Sequence, residues 1–275
     1  MKSPNYKVKI GIVGCGAIGS RMAKAIVKDL RKDCKISGLY DIDILKARTL
    51  AKRLKLKGVV NNSIHTLIQN CDCMVEAVSA DNTKSIIRQG LMAKKSVLAM
   101  SVGKILNSAE LFKIAKKNKC YLLLPSGALA GLDAVKAASL AFIKKITLTS
   151  RKPLAGFRNN PYFAKKGINL ATIKKETILF KGSVDKAVQL FPQNINVAAT
   201  LALASGVKKK ITVKIVTSPL YKRNCHEMEI LGDFGKITTK TDNEVCPDNP
   251  KSSYLAVLSG LQTLKQYCTG ILIGT

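Results

Sequence analysis

The chain has 275 residues, of which 47% are hydrophobic and 23% charged, a composition typical of a folded globular protein and not of a disordered or fibrous one. Its formal net charge of +29 suggests nucleic acid or a membrane surface as a partner, but the basic residues are spread along the whole chain and form no arm or tail. No apolar stretch reaches the roughly 18 residues of a membrane span and no signal-peptide pattern is present, so we expect a cytoplasmic protein.

Short apolar runs alternate with amphipathic segments over residues 1–125. The predicted strands are 7–13, 35–40, 59–60, 72–78, 96–100 and 121–124. The predicted helices are 17–30, 42–54, a short one capped by Ser63, 82–93 and 108–118. This alternation predicts a Rossmann-type, doubly wound parallel sheet of the α/β class, which binds its ligand at the carboxyl ends of the strands.

After Pro125 the pattern changes to one that predicts an α+β domain over 126–252 with a mixed or antiparallel sheet. Its predicted strands are 145–149, 177–180, 210–216, 226–231 and 234–239, and its predicted helices are 132–143, 184–190 and 195–204. A last helix within 253–275 is expected to pack back on the first domain.

Three glycines directly after the first predicted strand form the pattern Gly14-x-Gly16-x-x-Gly19. In dinucleotide-binding folds the first glycine permits a tight turn, the second lets the pyrophosphate approach the backbone, and the third allows close helix packing. Ala17 and Ile18 open the following helix, whose N-terminal amides would face the phosphates. These five residues are the predicted phosphate-binding part of a cofactor site.

The second predicted strand is followed by Asp41, about 20 residues after the last glycine, where this fingerprint places the acid that binds the adenosine ribose. A carboxylate there repels a 2′-phosphate and favours NAD over NADP, whereas Lys46 and Arg48 would weaken that preference. Asp43 is interpreted as the N-cap of the next helix.

The only histidines are His65 and His226, and the eight cysteines include no Cys-x-x-Cys pair, so we expect no metal site. His65 is expected at the surface. Alternation along the strand places His226 on one face with Met228 and Ile230. A histidine at the end of an apolar stripe is either a hydrogen-bonded core residue or the edge of a pocket, and the strand pattern alone leaves both open.

An ordered set of segments in both domains resembles the L-aspartate dehydrogenase family. The matching segments are 10–19, 100–103, 124–133, 151–153, 180–183, 191–204, 224–227, 232–235 and 249–256. The resemblance implies a Rossmann domain joined to an α+β domain of the dihydrodipicolinate-reductase type, assembled as a homodimer. It also implies oxidation of L-aspartate to iminoaspartate with NAD or NADP, iminoaspartate then either feeding NAD biosynthesis or hydrolysing to oxaloacetate and ammonia.

By the same resemblance His226 matches the catalytic histidine of the family, and Ala130 and Asn196 match positions that contact the nicotinamide cofactor. A substrate with two carboxylates also needs charged or amide donors in its pocket. The candidates are Arg151, Lys152, Ser126 with the Gly127 amide, and Lys251.

An alternative motivated by the charge is an NAD-responsive regulator or nucleic-acid-binding protein on the same fold. The retained His226 argues against it, as does the lack of a helix-turn-helix pattern or an arginine-rich arm. Dihydrodipicolinate reductases carry paired histidines, and this chain has none adjacent.

Overall fold

The computed structural model describes residues 6–78, 81–158, 160–191, 195–246 and 249–274, and of residues 249–252 it describes the backbone alone. The chain divides into two units. The first comprises the residues up to Pro125 together with Val257–Ile273, and the second comprises Ser126–Ala256 with Gly274.

The first unit contains a five-stranded sheet in the order β2-β1-β3-β4-β5, and its pairs are all parallel. Its strands are β1 (Val8–Val13), β2 (Cys34–Tyr40), β3 (Cys73–Glu76), β4 (Ser96–Ala99) and β5 (Leu122–Leu123). β3 and β4 are buried on both faces, as expected where helices cover both sides of a sheet. The predicted doubly wound parallel sheet is confirmed, although the predicted strand 59–60 is reduced to one bridge between Val60 and Leu39.

Side chains cap the N-termini of two helices of this unit. They are α1 (Ala17–Lys28), α2 (Ile44–Arg53), α3 (Ile64–Gln69), α4 (Thr83–Met92) and α5 (Ala109–Lys117). Asp43 Oδ1 accepts from the Leu45 amide at 3.1 Å, and Ser63 Oγ accepts from the Thr66 amide at 3.1 Å. Both predicted caps are therefore confirmed.

The second unit is built on a mixed five-stranded sheet in the order β10-β9-β6-β8-β7, in which only β6 and β8 are parallel. Its strands are β6 (Ile143–Pro153), β7 (Thr177–Ser183), β8 (Ile211–Ser218), β9 (Asn224–Gly232) and β10 (Gly235–Asn243). A separate pair joins β11 (Val245–Cys246) and β12 (Asn249–Ser253).

The helices of the second unit are α6 (Leu132–Ala138), α7 (Pro161–Lys165), α8 (Val184–Leu190) and α9 (Asn196–Ser205). The predicted helix 132–143 was too long, because the chain turns after Ala138 and Ile143 already pairs with Gly232 as the first residue of β6. That strand in turn runs through Pro153, well past the predicted end at 149.

The last helix, α10 (Tyr254–Thr269), belongs for most of its length to the first unit. Gly260 lies against the Met100 side chain, where an added Cβ would be 2.7 Å from the sulfur. The Tyr267 ring meets the Tyr121 ring edge to face, with centroids 6.0 Å apart. These contacts fix α10 to the end of the parallel sheet.

In the part of the chain that the structure describes, no helix is long and apolar enough to cross a membrane. The same residues contain no cluster of three histidine, cysteine or acidic side chains that would hold a metal ion.

Candidate functional site

The glycine-rich loop between β1 and α1 is crowded on one side and open on the other. Gly14 has φ +97°, and a Cβ there would lie 2.6 Å from the Ala77 carbonyl oxygen. A Cβ at Gly19 would collide with the Gly14 carbonyl. At Gly16 no atom of the described residues, apart from those of its neighbours along the chain, lies within 4 Å of the Cβ position, and the residue is exposed. Two glycines are therefore required by packing, and the third leaves open backbone that a ligand can approach.

α1 presents its N-terminus at this open position. Its N-cap residue is Gly16, and its first turn, which includes Ala17 and Ile18, contains no acidic residue. The free amides and the positive end of the helix dipole together suit an anion such as a pyrophosphate. This loop and helix fit the diphosphate of a nicotinamide dinucleotide.

Asp41 connects the end of β2 to the glycine loop. Its Oδ2 accepts from the Cys15 amide at 2.7 Å, and its Oδ1 accepts from the Asp43 amide at 3.0 Å. Each carboxylate oxygen keeps a second lone pair, so the group can still accept from the two hydroxyls of a ribose. Burial, followed by the negative charge of Asp41, raises the pKa of the Cys15 thiol to about 12, so this cysteine stays protonated.

The two basic residues that follow Asp41 differ in their surroundings. Lys46 lies 3.7 Å from Asp43 and lines a cavity of about 230 Å³ between α1 and α2, together with Arg53. Arg48 is exposed and is not among the residues that line this cavity. Of the two residues predicted to weaken the preference for NAD, only Lys46 therefore borders a cavity beside the glycine loop.

His226 lies near the start of β9, on one face of the second sheet, and is 3% exposed. Its register partner on β6 is Ser150, whose Oγ lies 3.0 Å from His226 Nδ1, within hydrogen-bond distance. Of the two interpretations left open by the strand pattern, the structure places the ring in the interior with a polar partner. No sequence signal had pointed to Ser150.

Lys152 lies two residues beyond Ser150, so strand alternation brings it to the same sheet face as His226. It is 7% exposed, and burial lowers the pKa of its ammonium to about 8. Burial, followed by the positive charge of Lys152, lowers the pKa of the His226 imidazole to about 3. At neutral pH this face therefore carries a neutral imidazole beside a buried ammonium.

Arg151 points to the opposite face of the sheet. Its register partner is Cys225, and its guanidinium pairs with Glu227 at 2.9 Å and with Glu176 at 3.8 Å. The structure therefore does not bring Arg151 to His226, and it separates two neighbours that the sequence offered as equivalent candidates. The reason is that β6 extends through both residues and alternates their side chains.

A loop over residues 126–131 is fastened to the His226 face by side chains of β10. Thr241, the register partner of His226, donates to the Ala128 carbonyl at 3.0 Å, and Thr239 donates to the Ala130 carbonyl at 3.2 Å. Gly131 ends the loop with φ +78°, which allows α6 to begin there. Ala130, the predicted cofactor contact, is thereby held on the face that carries His226.

The remaining predicted residues differ in how they are placed. Ser126 is half-buried at the start of this loop, and Asn196 is exposed as the first residue of α9. The side chain of Lys251 lies outside the described residues. Ser253, the last residue of its strand β12, accepts through its Oγ from Asn224 Nδ2 at 3.4 Å, and Asn224 precedes His226 by two residues on β9.

Two family models match the chain, one within the first unit and one over most of the second unit and much of α10. Residues 14–125 match "Homoserine dehydrogenase, NAD binding domain", and residues 133–267 match "Aspartate dehydrogenase, C-terminal". The first unit is therefore a domain for a nicotinamide cofactor, in agreement with the geometry of its glycine loop.

Curated relatives match over nearly the whole length. The chain is 40% identical to an L-aspartate dehydrogenase of Methanosarcina barkeri and 41% identical to one of Methanosarcina mazei, in each case over 98% of this chain and 100% of the relative. Among solved structures, aspartate dehydrogenase from Thermotoga maritima superposes with a TM-score of 0.71 at 24% identity, covering 98% of this chain and 100% of that one. The scyllo-inositol dehydrogenase of Lactobacillus casei gives 0.58 at 15% identity, covering 99% and 91%.

Proposed function

The chain belongs to the L-aspartate dehydrogenase family, and from that membership we propose that it oxidises L-aspartate to iminoaspartate by hydride transfer from Cα to a nicotinamide. The observation that carries the proposal is that His226, a neutral imidazole, and Lys152, a buried ammonium, lie on the same sheet face. An oxidisable amine with a carboxylate needs a proton acceptor and a cation, and this face provides both.

The nicotinamide, when bound, supplies the hydride acceptor. The amine of aspartate must be neutral before a hydride can leave Cα, because a protonated nitrogen has no lone pair to form the imine. His226 accepts that proton, or activates the water that later hydrolyses the imine. The hydroxyl of Ser150 holds the imidazole at Nδ1 and so orients the ring.

Lys152 binds one carboxylate of the substrate. An ammonium that has already been desolvated gains much from an anion, since the attraction between them is strong where water is excluded. The second carboxylate is assigned to Ser126, the Gly127 amide and Lys251. Arg151, held on the other face by Glu227, is left out of this assignment.

The direct test is to mix the purified protein with oxaloacetate, ammonia and NADH at high pH and to follow the nicotinamide absorbance. We expect consumption that requires all three components, with faster turnover of oxaloacetate than of 2-oxoglutarate or pyruvate. A protein that turns over no oxo acid but binds DNA tightly in a salt-sensitive manner would be a regulator and not an enzyme.

NAD is the proposed cofactor in preference to NADP, because the Asp41 carboxylate repels a 2′-phosphate. Asp41→Ala should raise the ratio of kcat/KM with NADP to kcat/KM with NAD about tenfold, equivalent to about 1.4 kcal/mol. Asp43→Asn is the matched control, since it removes a charge two residues away but keeps the cap of α2. A strong preference of the wild type for NADP would show that Lys46, and not Asp41, determines the choice of cofactor.

The sequence resemblance further supports a homodimer that acts in the cytoplasm and whose iminoaspartate feeds NAD biosynthesis. Sedimentation of the purified protein at micromolar concentration tests the dimer, and a monomer that retains full activity would contradict it.

A further inference from the structure

Glu76 is a buried carboxylate that the proposed chemistry does not use. It ends β3 and its residue is 0% exposed. Its Oε1 accepts from the Val78 amide at 2.9 Å, and its Oε2 accepts from the Ser101 amide at 3.2 Å. One side chain therefore contacts the backbone that leaves β3 and the backbone that leaves β4.

The same two backbone segments are also joined directly. Ser101 Oγ donates to the Val78 carbonyl at 2.7 Å, and the Met100 amide donates to the Glu76 carbonyl at 3.0 Å. Glu76 and Ser101 together form a clasp between the carboxyl ends of β3 and β4.

Packing alone does not explain a carboxylate at this position. Its register partners on the neighbouring strands, Val13 and Ala99, are both buried and apolar. Burial raises the pKa of the Glu76 carboxyl to about 7, which shows that ionising it here has a cost that an apolar side chain would not have. Hydrogen bonds from the backbone of Val78, Ser101 and Met100 and from the Ser101 side chain lower that pKa and so offset part of the cost. All of them come from the two backbone segments that leave β3 and β4, so the role of the carboxylate lies in holding these segments.

The order of the strands indicates which half of the cofactor lies beside the segments that follow β3 and β4. Asp41, at the end of β2, marks the adenosine ribose, and the glycine loop, at the end of β1, marks the pyrophosphate. A dinucleotide crosses the carboxyl edge of such a sheet with its two halves on opposite sides of the switch point. The sheet order β2-β1-β3-β4 therefore leaves the ends of β3 and β4 for the nicotinamide half.

We propose that Glu76 is a positioning residue for the nicotinamide half of the cofactor, acting through the backbone of Val78 and Ser101. This inference rests on the nicotinamide cofactor of the proposed function. The carboxylate fixes the distance between the two segments, so that the ribose and ring of the nicotinamide meet a preformed surface.

The test compares two ligands that share the adenosine half. Glu76→Gln keeps the size of the side chain but presents an NH₂ group to one of the two amide donors, so one bond is lost. We expect the Kd for NADH, measured by fluorescence, to rise about tenfold. The Kd for ADP, measured by calorimetry, should stay within about twofold. kcat at saturating NAD should change much less than the KM for NAD.

Asp41→Ala is the matched comparison, because it removes a carboxylate at the adenosine end. This substitution should weaken the binding of ADP and of NADH by similar factors. The proposal is overturned if Glu76→Gln weakens ADP as much as NADH, or if it changes neither. Should Glu76→Gln fail to fold, Ser101→Ala opens the same clasp and leaves the core intact. Ser101→Ala should weaken the binding of NADH several-fold and leave the binding of ADP unchanged. An unchanged affinity for NADH would contradict the proposed role of the clasp. A wild type that binds no NADH would instead overturn the cofactor assignment itself.

Discussion

We expect His226→Ala to lower kcat by about 10²–10⁴-fold, the usual contribution of a positioned general base or acid. Burial, followed by the charge of Lys152, lowers the pKa of the imidazole to about 3, so the ring is neutral at physiological pH but is a weak base. A substrate carboxylate bound to Lys152 offsets that charge and makes the imidazole a better proton acceptor. The KM for NAD should change little, because the glycine loop and Asp41 lie in the other unit. Steady-state kinetics with aspartate and NAD measures both quantities.

His65→Ala is the natural control, since His65 is the only other histidine and is exposed on α3. It should leave kcat and KM unchanged. Turnover of His226→Ala at the rate of the wild type would remove this residue from the mechanism. A loss of cofactor affinity equal to the loss of kcat would instead indicate a structural role.

The first unit could be predicted in detail because its signals are local. The backbone of Gly14 requires a positive φ, Gly19 has no room for a side chain, and Asp43 and Ser63 cap the helices that follow them. Each of these constraints acts within a few residues along the chain, so each one can be read from a short stretch of sequence. Asp41 follows from the same logic, since its place at the end of β2 is fixed by the strand that precedes it.

The group of residues around His226 in the second unit could be predicted only in part, because it depends on contacts between residues that are far apart in the sequence. Ser150 meets His226 across 76 residues, and Thr241 meets the Ala128 carbonyl across 113. No local sequence pattern near these residues predicts such contacts. Glu76 was missed for a different reason, since a lone carboxylate at the end of an apolar strand has no pattern of its own.

The placement of Arg151 and Lys152 on opposite faces of the sheet could have been predicted from the sequence. The predicted strand ended at 149, which left both residues in a loop where either could turn toward a ligand. Once β6 is seen to run to Pro153, alternation alone places the two side chains on opposite faces. The length of the strand therefore decides which of the two can serve the substrate.

The second large effect is expected at Lys152. Lys152→Met should raise the KM for aspartate at least tenfold, equivalent to about 1.4 kcal/mol, because a substrate carboxylate loses its cation in a site from which water is excluded. The KM for NAD should stay nearly constant. Arg151→Met is the neighbouring control, since this side chain faces Glu227 on the other side of the sheet and should leave the KM for aspartate unchanged.

The substitution Lys152→Met should stabilise the fold although it weakens the binding of aspartate. A lysine whose pKa is lowered to about 8 on folding, from about 10.4 in the unfolded chain, destabilises the fold by about 3 kcal/mol wherever both states are protonated. That destabilisation is complete below pH 8 and disappears as the pH rises to about 10. Lys152→Met should therefore raise the Tm at pH 7 by a few degrees and lose this advantage near pH 10. A variant that binds aspartate poorly and also melts earlier would point to damage of the fold.

The charge of Lys152 can be isolated with succinate, a dicarboxylate without the amine whose own titration complicates aspartate. Above pH 8 the free enzyme progressively loses the ammonium, so the inhibition constant of succinate against aspartate should rise toward tenfold per pH unit in the wild type. In Lys152→Met the constant should be higher at pH 7 and should not depend on pH across this range. Because both carboxylates of succinate are ionised throughout, the change can come only from the protein. A wild-type inhibition constant that stays flat from pH 7 to 10 would transfer the binding of the carboxylate to Ser126, the Gly127 amide and Lys251.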